Sequence, residues 1–148
     1  MPGAVEAYDF DDSPERIDRS VVQAFLATEA YWGRWRTPDD IDQQITVSWR
    51  VVGCYLRSSG ELVGFARAVS DGIGFAYLAD VFVVPAHRGK QLGERLVETM
   101  VEGGPGADFR WLLHTADAHG LYAKFGFFPP DSTVLERPHV STRSAAGS

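Results

Sequence analysis

The chain is 148 residues long, with a formal net charge of −6 and an apolar fraction of 45%. This length and composition suit one globular domain, and we predict that it covers residues 1–140. No basic stripe supports nucleic-acid binding, and no apolar run is long enough to span a membrane. The first ten residues lack signal-peptide features, so we expect a cytoplasmic protein. Residues 141–148 are small and polar and are predicted to be a disordered tail.

The N-terminal third is predicted to contain a short strand and two helices. The strand is expected over Val5–Phe10. Apolar residues then recur at helical spacing as far as Thr28, with Asp18 or Ser20 as the N-cap. Residues 37–40 (TPDD) are typical of a helix start, because they combine an N-cap threonine, a proline in the first turn and acidic side chains.

A meander of three strands and a long helix is predicted next. Val51–Arg57 and Glu61–Val69 form an antiparallel hairpin. The third strand covers Phe75–Val84, and strict alternation places Tyr77 on one of its faces and Asp80 on the other. Pro85 cannot donate to a sheet and ends this strand. A basic turn then leads into a helix that begins near residue 91 and ends at a run of glycine and proline.

The C-terminal part is predicted to alternate between strand and helix. Trp111–His114 is a strand, and Asp117 caps a short helix over Ala118–Phe125. Phe127–Phe128 begin another strand, which two prolines interrupt, and Val134–Arg137 are a candidate edge strand.

The turn before the long helix has the composition of an anion site. The first backbone N–H groups of a helix have no intrahelical partner and carry partial positive charge. Arg88 and Lys90 lie beside them in the sequence. Together these groups suit a phosphate or pyrophosphate. The turn lacks the GxxxxGK(S/T) and GxGxxG patterns of nucleotide-binding loops, and the plain alternative is an ordinary strand-to-helix connection.

Two motifs resemble those of the GCN5-related N-acetyltransferase (GNAT) superfamily. Residues 88–93 (RGKQLG) are similar to its acyl-CoA motif, Q/R-x-x-G-x-G/A, and residues 121–127 (LYAKFGF) resemble its C-terminal signature. Gln91 stands where the family usually has its first glycine; a helix N-terminus does not require positive φ, so glutamine can still donate its N–H there. The resemblance implies an α/β (α+β) fold with a mixed, mostly antiparallel sheet of six to seven strands and about four helices on both faces.

The resemblance also implies acetyl-CoA as the co-substrate. The backbone of Phe82–Val84 would pair with the pantetheine arm as an added strand does, where the family's sheet splays, and the turn at residues 88–93 would bind the pyrophosphate. The family often has an asparagine before the last helix, and Thr115 or Asp117 are its candidate substitutes here. The predicted cofactor-binding residues are therefore Phe82, Val83, Val84, Arg88, Gly89, Lys90, Gln91, Leu92, Gly93, Thr115, Asp117 and Tyr122.

Two residues are predicted to be catalytic. Tyr122 occupies the position of the family's general acid, and a phenol with a pKa of about 10 matches a thiolate leaving group; a core tyrosine is the alternative. Asp80 is the leading base candidate, because burial in an apolar strand raises the pKa of a carboxyl group. Its alternative role is a structural partner of an arginine such as Arg67. Glu29, His114 and a water chain are further candidates for the base.

The aromatic connection between the first two helices predicts the acceptor site. In the family the corresponding helix pair lines this site, so Glu29, Tyr31, Trp32 and Trp35 are the predicted substrate-binding residues. Packing of the aromatic rings onto the sheet is the alternative. The predicted activity is direct transfer of acetyl from acetyl-CoA to a primary amine of a small molecule. A protein lysine or N-terminal amine as acceptor, and a non-catalytic acyl-CoA-binding module, are the alternatives.

No metal site is predicted. The four histidines lack HExxH spacing, and Cys54 is the only cysteine. Cys54 lies in an apolar strand and is interpreted as a buried small hydrophobe rather than a nucleophile. The predicted partner is a small-molecule amine, with no nucleic acid and no membrane. Dimers are common in the superfamily, and residues 129–137 are a candidate edge for a homodimer.

Overall fold

A computed structural model gives the structure of residues 7–29 and 35–140. The predicted tail, the aromatic residues Tyr31 and Trp32, and the start of the first predicted strand lie outside these ranges. The elements in chain order are β1 (Tyr8–Asp11), α1 (Arg19–Thr28), α2 (Pro38–Val47), β2 (Arg50–Leu56), β3 (Leu62–Ser70), β4 (Phe75–Val83), α3 (Leu92–Met100), β5 (Arg110–Leu112) and α4 (His119–Ala123). No helix in the described ranges has the length and hydrophobicity needed to cross a bilayer.

The strands form one mixed sheet in the order β1-β2-β3-β4-β5. The pairs from β1 to β4 are antiparallel, whereas β4 and β5 are parallel. One hydrophobic core lies between the sheet and helices α1 and α2, and a second core lies between the opposite face and α3, with part of α4 packed against it. The predicted α/β fold, with a mixed sheet and helices on both faces, is therefore confirmed.

The predicted helix starts of the N-terminal third are also confirmed. Asp18 is the N-cap of α1, and its carboxylate accepts the backbone N–H groups of Ser20 and Val21. Thr37 and Asp40 form a reciprocal capping box at the start of α2. Each cap satisfies N–H groups that the helix itself leaves unpaired, and such a residue typically stabilises a helix by about 1 kcal/mol. These starts were predictable because capping depends on residues within one turn.

The sheet has five strands in the described residues, rather than the six to seven predicted. Phe127–Phe128 and Val134–Arg137 belong to no strand. Proline removes a backbone donor from a ladder, and Pro129, Pro130 and Pro138 flank these two segments. The segment that was a candidate dimer edge thus forms no strand in the described structure and contains a turn, in which the Val134 N–H donates to the Asp131 carbonyl. The homodimer itself stays a prediction.

A β-bulge in β4 overturns the predicted alternation of its side chains. Phe82 pairs with Phe65, but Ala79 pairs with Arg67, so two residues of β4 oppose the single residue Ala66 of β3. Asp80 lies in the bulge with a positive φ of 54°. A bulge of this kind shifts the facing of every later residue on its strand.

The shift places Asp80 and Phe82 on the face covered by α1 and α2. Phe82 stacks on Phe25 of α1 with ring centroids 4.0 Å apart. Tyr77 lies on the same face as Arg67. It pairs with Val69 of β3, and Val69 is two residues from Arg67, so the two side chains point the same way. The bulge therefore collects side chains on one face that strict alternation would have divided between two.

Candidate active site

The candidate site lies where β4 and β5 diverge. Their ladder has three pairs and ends with Tyr77 opposite Leu112, although β4 continues to Val83. On its other side β4 stays paired with β3, and the Val84 N–H donates to the Val63 carbonyl at 2.9 Å. Neighbouring residues of a strand alternate in direction, so the Val83 backbone groups face the gap. The Val83 carbonyl accepts from Arg88 Nε at 3.0 Å.

The turn after β4 is shaped by two residues with positive φ. Gly89 has a φ of 82°, and Gln91 has a φ of 62° with a ψ of 22°, which is the left-handed helical region. A glycine at position 91, as the family usually has, would adopt this conformation without strain, and the prediction that positive φ is not needed there is wrong. A side chain other than glycine in this region costs about 1–2 kcal/mol, so Gln91 carries strain that a glycine would not.

The N-terminus of α3 is suited to bind a diphosphate group. Gln91 is its N-cap residue, and the Gln91 side chain makes no capping hydrogen bond. Arg88 and Lys90 are exposed in the turn that precedes it. First-turn N–H groups beside two cationic side chains attract an anion. The residues present therefore fit the pyrophosphate of CoA.

The two sequence motifs contact each other. A Cβ atom placed on Gly93 would lie 3.6 Å from a methyl carbon of Leu121, so α4 packs closely against the first turn of α3. Glu94 of α3 also forms an ion pair with Lys124, next to the end of α4. These contacts hold Tyr122 beside the predicted pyrophosphate turn.

Tyr122 has the properties of a proton donor. Its side chain is half-buried, and its ring packs edge-on against Phe127 with centroids 5.7 Å apart. Burial, followed by the negative charge of Asp117, raises the pKa of Tyr122. No hydrogen bond contributes to that shift among the described residues. A raised pKa keeps the phenol protonated at neutral pH, which a general acid requires.

The α4 region corrects one predicted cap. Asp117 does not cap α4; the N-cap residue is Ala118, without a side-chain capping bond. Thr115 Oγ1 instead accepts the Ala118 N–H at 3.0 Å. Asp117 is exposed and acts on Tyr122 through its charge. Contacts of Thr115 and Asp117 with a cofactor stay predictions.

Asp80 lies in a buried ion-pair cluster on the α1–α2 face. Arg36 donates to both carboxylate oxygens, at 2.8 and 2.9 Å, and Arg67 Nε donates to Oδ2 at 2.7 Å. Burial alone would raise the pKa of Asp80, but the hydrogen bonds and charges of the two guanidinium groups outweigh it, so the pKa is lowered. Asp80 is therefore a structural partner of Arg67, which was the alternative to its predicted role as general base. A carboxylate with a lowered pKa is a weak base, and the base role of Asp80 stays a prediction.

Arg36 was not identified from the sequence. It also donates to Gln44 of α2 at 2.7 Å. The available signal was Asp80 itself, a carboxylate in an otherwise apolar strand. A buried carboxylate on a neighbouring strand needs such a cation.

The predicted acceptor side is bordered by the chain before α2 and the C-terminal segment. Trp35 is 51% exposed and stacks on His139, with ring centroids 4.3 Å apart. The Arg36 guanidinium lies 5.7 Å from the centroid of the Trp35 ring. Glu29 is the exposed C-cap residue of α1. Trp35 and Glu29 are thus open to solvent, while the predicted ligand contacts of Tyr31 and Trp32 fall outside the described residues.

A chain of three polar side chains spans the same face. The Tyr77 hydroxyl hydrogen-bonds His114 Nδ1, and His114 Nε2 pairs with a Glu136 carboxylate oxygen. Burial, the charge of Glu136 and the charge of Asp80 raise the pKa of Tyr77, against the opposing effect of Arg67. Sequence reasoning named only His114 among these three. Tyr77 and Glu136 carry no local motif, and only the fold brings them together.

Cys54 is a core residue. It is fully buried in β2, and burial is the main cause that raises its pKa to about 12. The side chain is therefore a thiol at neutral pH, whereas a thiolate is the reactive form. Among residues 7–29 and 35–140, no group of three or more histidine, cysteine or acidic side chains is arranged to hold a metal ion.

Comparison with known proteins supplies the family. Residues 18–127 match the model of the acetyltransferase (GNAT) family. A crystal structure from Xanthomonas campestris pv. campestris, named as an acetyltransferase of the GNAT family, has a TM-score of 0.84 at 30% identity and covers 92% of this chain and 96% of that chain. A curated relative from Gibberella zeae, named as an acetyltransferase, is 26% identical over 129 residues, which are 75% of this chain and 73% of the relative.

A more distant structure shares the fold. The aminoglycoside N-acetyltransferase AAC(6')-Iy, in complex with CoA, has a TM-score of 0.63 at 12% identity. The match covers 93% of this chain and 99% of that chain.

Proposed function

Because the chain belongs to the GNAT family of acetyltransferases, we propose that it transfers acetyl from acetyl-CoA directly to a primary amine of a small molecule. The observation that carries the proposal is the open edge of β4, which leads from the end of the β5 ladder to the basic turn at α3. Within the described residues, this edge beyond Tyr77 pairs with no further strand and lies next to an anion site, which suits a ligand with an extended amide arm and a diphosphate. CoA has this chemistry.

Three elements hold the co-substrate in this proposal. The first-turn N–H groups of α3, with Arg88 and Lys90, bind the pyrophosphate. The Val83 backbone pairs with an amide of the pantetheine arm, as a strand added to a sheet edge does. For this pairing the Arg88 side chain, which now donates to the Val83 carbonyl, turns toward the phosphates. A backbone N–H on the same edge stabilises the negative charge that develops on the thioester oxygen.

The reaction needs one acid to protonate the leaving sulfur, and it releases one proton to solvent overall. The amine nitrogen forms a bond to the thioester carbon, and the carbonyl electron pair moves onto oxygen. When the carbonyl re-forms, the carbon–sulfur bond breaks, and sulfur takes the phenol proton of Tyr122 to give the CoA thiol. The nitrogen gives up one proton before attack and a second one after it. Water returns the second proton to the Tyr122 phenolate, and the first is released.

A small acceptor is favoured by the C-terminal segment. His139 stacks on Trp35, and Glu136 pairs with His114. These two contacts hold residues 136–139 across the acceptor side of the sheet, which leaves less room for a protein substrate than an open groove would.

Calorimetric titration with acetyl-CoA tests the donor half of the proposal. We expect a dissociation constant in the micromolar range, which corresponds to about −8 kcal/mol. Dephospho-CoA and desulfo-CoA serve as controls for the phosphate and sulfur contacts. An absence of heat with all three compounds would contradict the proposal.

A screen of primary amines, read by release of the CoA thiol, tests the acceptor half. Turnover of small amines, with no acetylation of lysine peptides or of peptide N-termini, is the expected result. Acetyl-CoA binding without turnover of any amine would instead favour a non-catalytic binding module. Turnover restricted to peptides would favour a protein acceptor.

A further inference from the structure

We propose that the Tyr77–His114–Glu136 chain removes the proton from the acceptor ammonium group before attack. This inference rests on the proposed amine acetyltransferase function and names the proton path of that reaction. Tyr77 would contact the amine, His114 would take the proton through Tyr77, and Glu136 would hold the resulting imidazolium.

The position of Tyr77 follows from the direction of the donor arm. The pyrophosphate turn lies beyond the C-terminal end of β4. An arm that starts there and follows the edge of β4 runs back toward the point where β4 and β5 join. Tyr77, opposite Leu112, is the last residue of that junction. The thioester end of the arm therefore points toward Tyr77.

The acid and the proton acceptor approach from opposite faces. Tyr122 packs against the core on the α3 face of the sheet. Tyr77 lies on the α1–α2 face, which also carries Trp35 and the Asp80 cluster. The amine nitrogen attacks the thioester carbon from one direction, and the sulfur leaves that carbon in another. Two proton-transfer groups on two faces match that geometry without competing for one position.

Other charged groups near the Tyr77–His114–Glu136 chain are less suited to accept the proton. Asp80 is occupied by Arg36 and Arg67, with three hydrogen bonds of 2.7 to 2.9 Å. These bonds stabilise the carboxylate and make it a weak proton acceptor. Asp80 and Arg67 act on Tyr77 with opposite signs of charge. Glu136 is the acidic group in direct contact with His114.

The proton movements balance in three transfers. The ammonium group gives a proton to Tyr77 Oη as the phenol proton moves to His114 Nδ1. The ring becomes imidazolium, and its Nε2–H donates to the Glu136 carboxylate. The His114 side chain is 62% exposed and that of Glu136 is 52% exposed, so the imidazolium loses its Nδ1 proton to water and keeps its Nε2 proton, which restores the starting tautomer. Tyr77 ends with one proton, as it began.

A pair of isosteric acceptors tests this path. 2-Phenylethylamine is an ammonium ion at pH 7, whereas O-benzylhydroxylamine has nearly the same shape and is already neutral. We expect His114→Gln and Tyr77→Phe to lower kcat/KM about a hundredfold for the first acceptor. For the second acceptor the loss should stay below about threefold. His119→Gln, at an exposed histidine of α4, is the matched control and should change neither value.

A second measurement does not depend on turnover. Nitrogen NMR of the wild-type imidazole should show His114 neutral with its proton on Nε2, and Glu136→Gln should weaken this preference. A proton on Nδ1 in the wild type would overturn the proposal, because Tyr77 could not then donate to that atom. Equal losses for the two acceptors would overturn it as well, since a structural role affects both alike. Failure of acetyl-CoA to bind would contradict the proposed function. The NMR measurement would still test the proton path, because it does not require acetyl-CoA.

Discussion

The predicted donor and acceptor sides of the site are built in different ways. On the donor side, the end of β4, the α3 turn and α4 come from two short motifs, and the contacts of Gly93 with Leu121 and of Glu94 with Lys124 join them. On the predicted acceptor side, the contacts join residues that belong to no common motif, and several of them span long stretches of the chain. Arg36 and Asp80, for example, are 44 residues apart. The predicted donor side can therefore be recognised from short motifs, whereas the predicted acceptor side depends on long-range packing.

The largest effect is expected at the point where the two sides meet. Tyr122→Phe removes the proton donor for the leaving sulfur but keeps the ring that packs on Phe127. We expect kcat to fall about a hundredfold or more, while calorimetry shows an acetyl-CoA dissociation constant within about twofold of wild type.

Tyr55→Phe is the control, because Tyr55 is a buried tyrosine whose hydroxyl has no partner in the described structure. An unchanged kcat in Tyr122→Phe would remove this residue from the mechanism.

Asp80→Asn tests whether the acceptor side depends on its ion-pair cluster. The change leaves two buried guanidinium groups without their anion, so the free energy of unfolding should fall by about 3 kcal/mol at pH 7, measured in urea. The folded-state pKa of Asp80 is lowered, so the carboxylate stabilises the fold above its unfolded pKa of about 3.9 and loses this effect as the pH falls through the folded pKa. The difference between variant and wild type should therefore shrink in acid.

Asp42→Asn is the comparison for that prediction. Asp42 forms a partly exposed ion pair with Arg19, and its loss should cost less than about 1 kcal/mol. A folded Asp80→Asn variant with near-normal activity at neutral pH would exclude Asp80 as the base. A loss at neutral pH that recovers at high pH, where the amine is neutral without a base, would instead support its base role.

Arg88→Ala tests the donor side by itself. A hydrogen bond to a charged group contributes about 1.5–3 kcal/mol, so the acetyl-CoA dissociation constant should rise about tenfold or more, and kcat at saturating acetyl-CoA should stay near the wild-type value. The effect should weaken with added salt. Arg57→Ala, at an arginine paired with Asp9 across β1 and β2, should leave binding unchanged. Equal effects of the two variants would show that charge at a distance, rather than contact, is responsible.

The smallest expected effect concerns the strain at Gln91. Gln91→Gly removes a side chain from the left-handed region and should raise the free energy of unfolding by about 1 kcal/mol in a thermal or urea experiment. Gln43→Gly is the matched control, because Gln43 is exposed inside α2 and glycine should destabilise that helix by about 1 kcal/mol. Destabilisation by both changes would mean that Gln91 makes contacts worth more than its strain.

Sequence reasoning succeeded where short-range rules decide the structure. The capping box at Thr37 and Asp40 and the N-cap at Asp18 are set by side chains and N–H groups within one helical turn. The strands β2 and β3 followed from apolar alternation on both sides of a turn. The motifs of the donor side were recognised for the same reason, since each is a continuous run of residues.

The same reasoning failed where a residue's facing depends on a neighbouring strand. The alternation of apolar residues in β4 does not predict the bulge at Asp80, which is visible only in the pairing register of β4 with β3. It moved Asp80 and Phe82 to the other face and so changed which residues meet Asp80. Similarly, the turn that joins β4 to α3 imposes the left-handed backbone of Gln91, because this conformation is sterically unfavourable for glutamine.

By itself, the sequence of this protein determined the caps of α1 and α2, its main strands, the predicted phosphate-binding turn and the candidate acid Tyr122. Each of these depends on residues close together in the chain, where capping, periodicity and motif spacing act. Only the tertiary structure decided the acceptor side: the pairing of Asp80 with Arg36 and Arg67, and the contact of Tyr77 with His114 and Glu136. These groups are distant in sequence, and their charges and hydrogen bonds take effect only after the bulge, the splayed sheet and the C-terminal segment bring them within reach of one another.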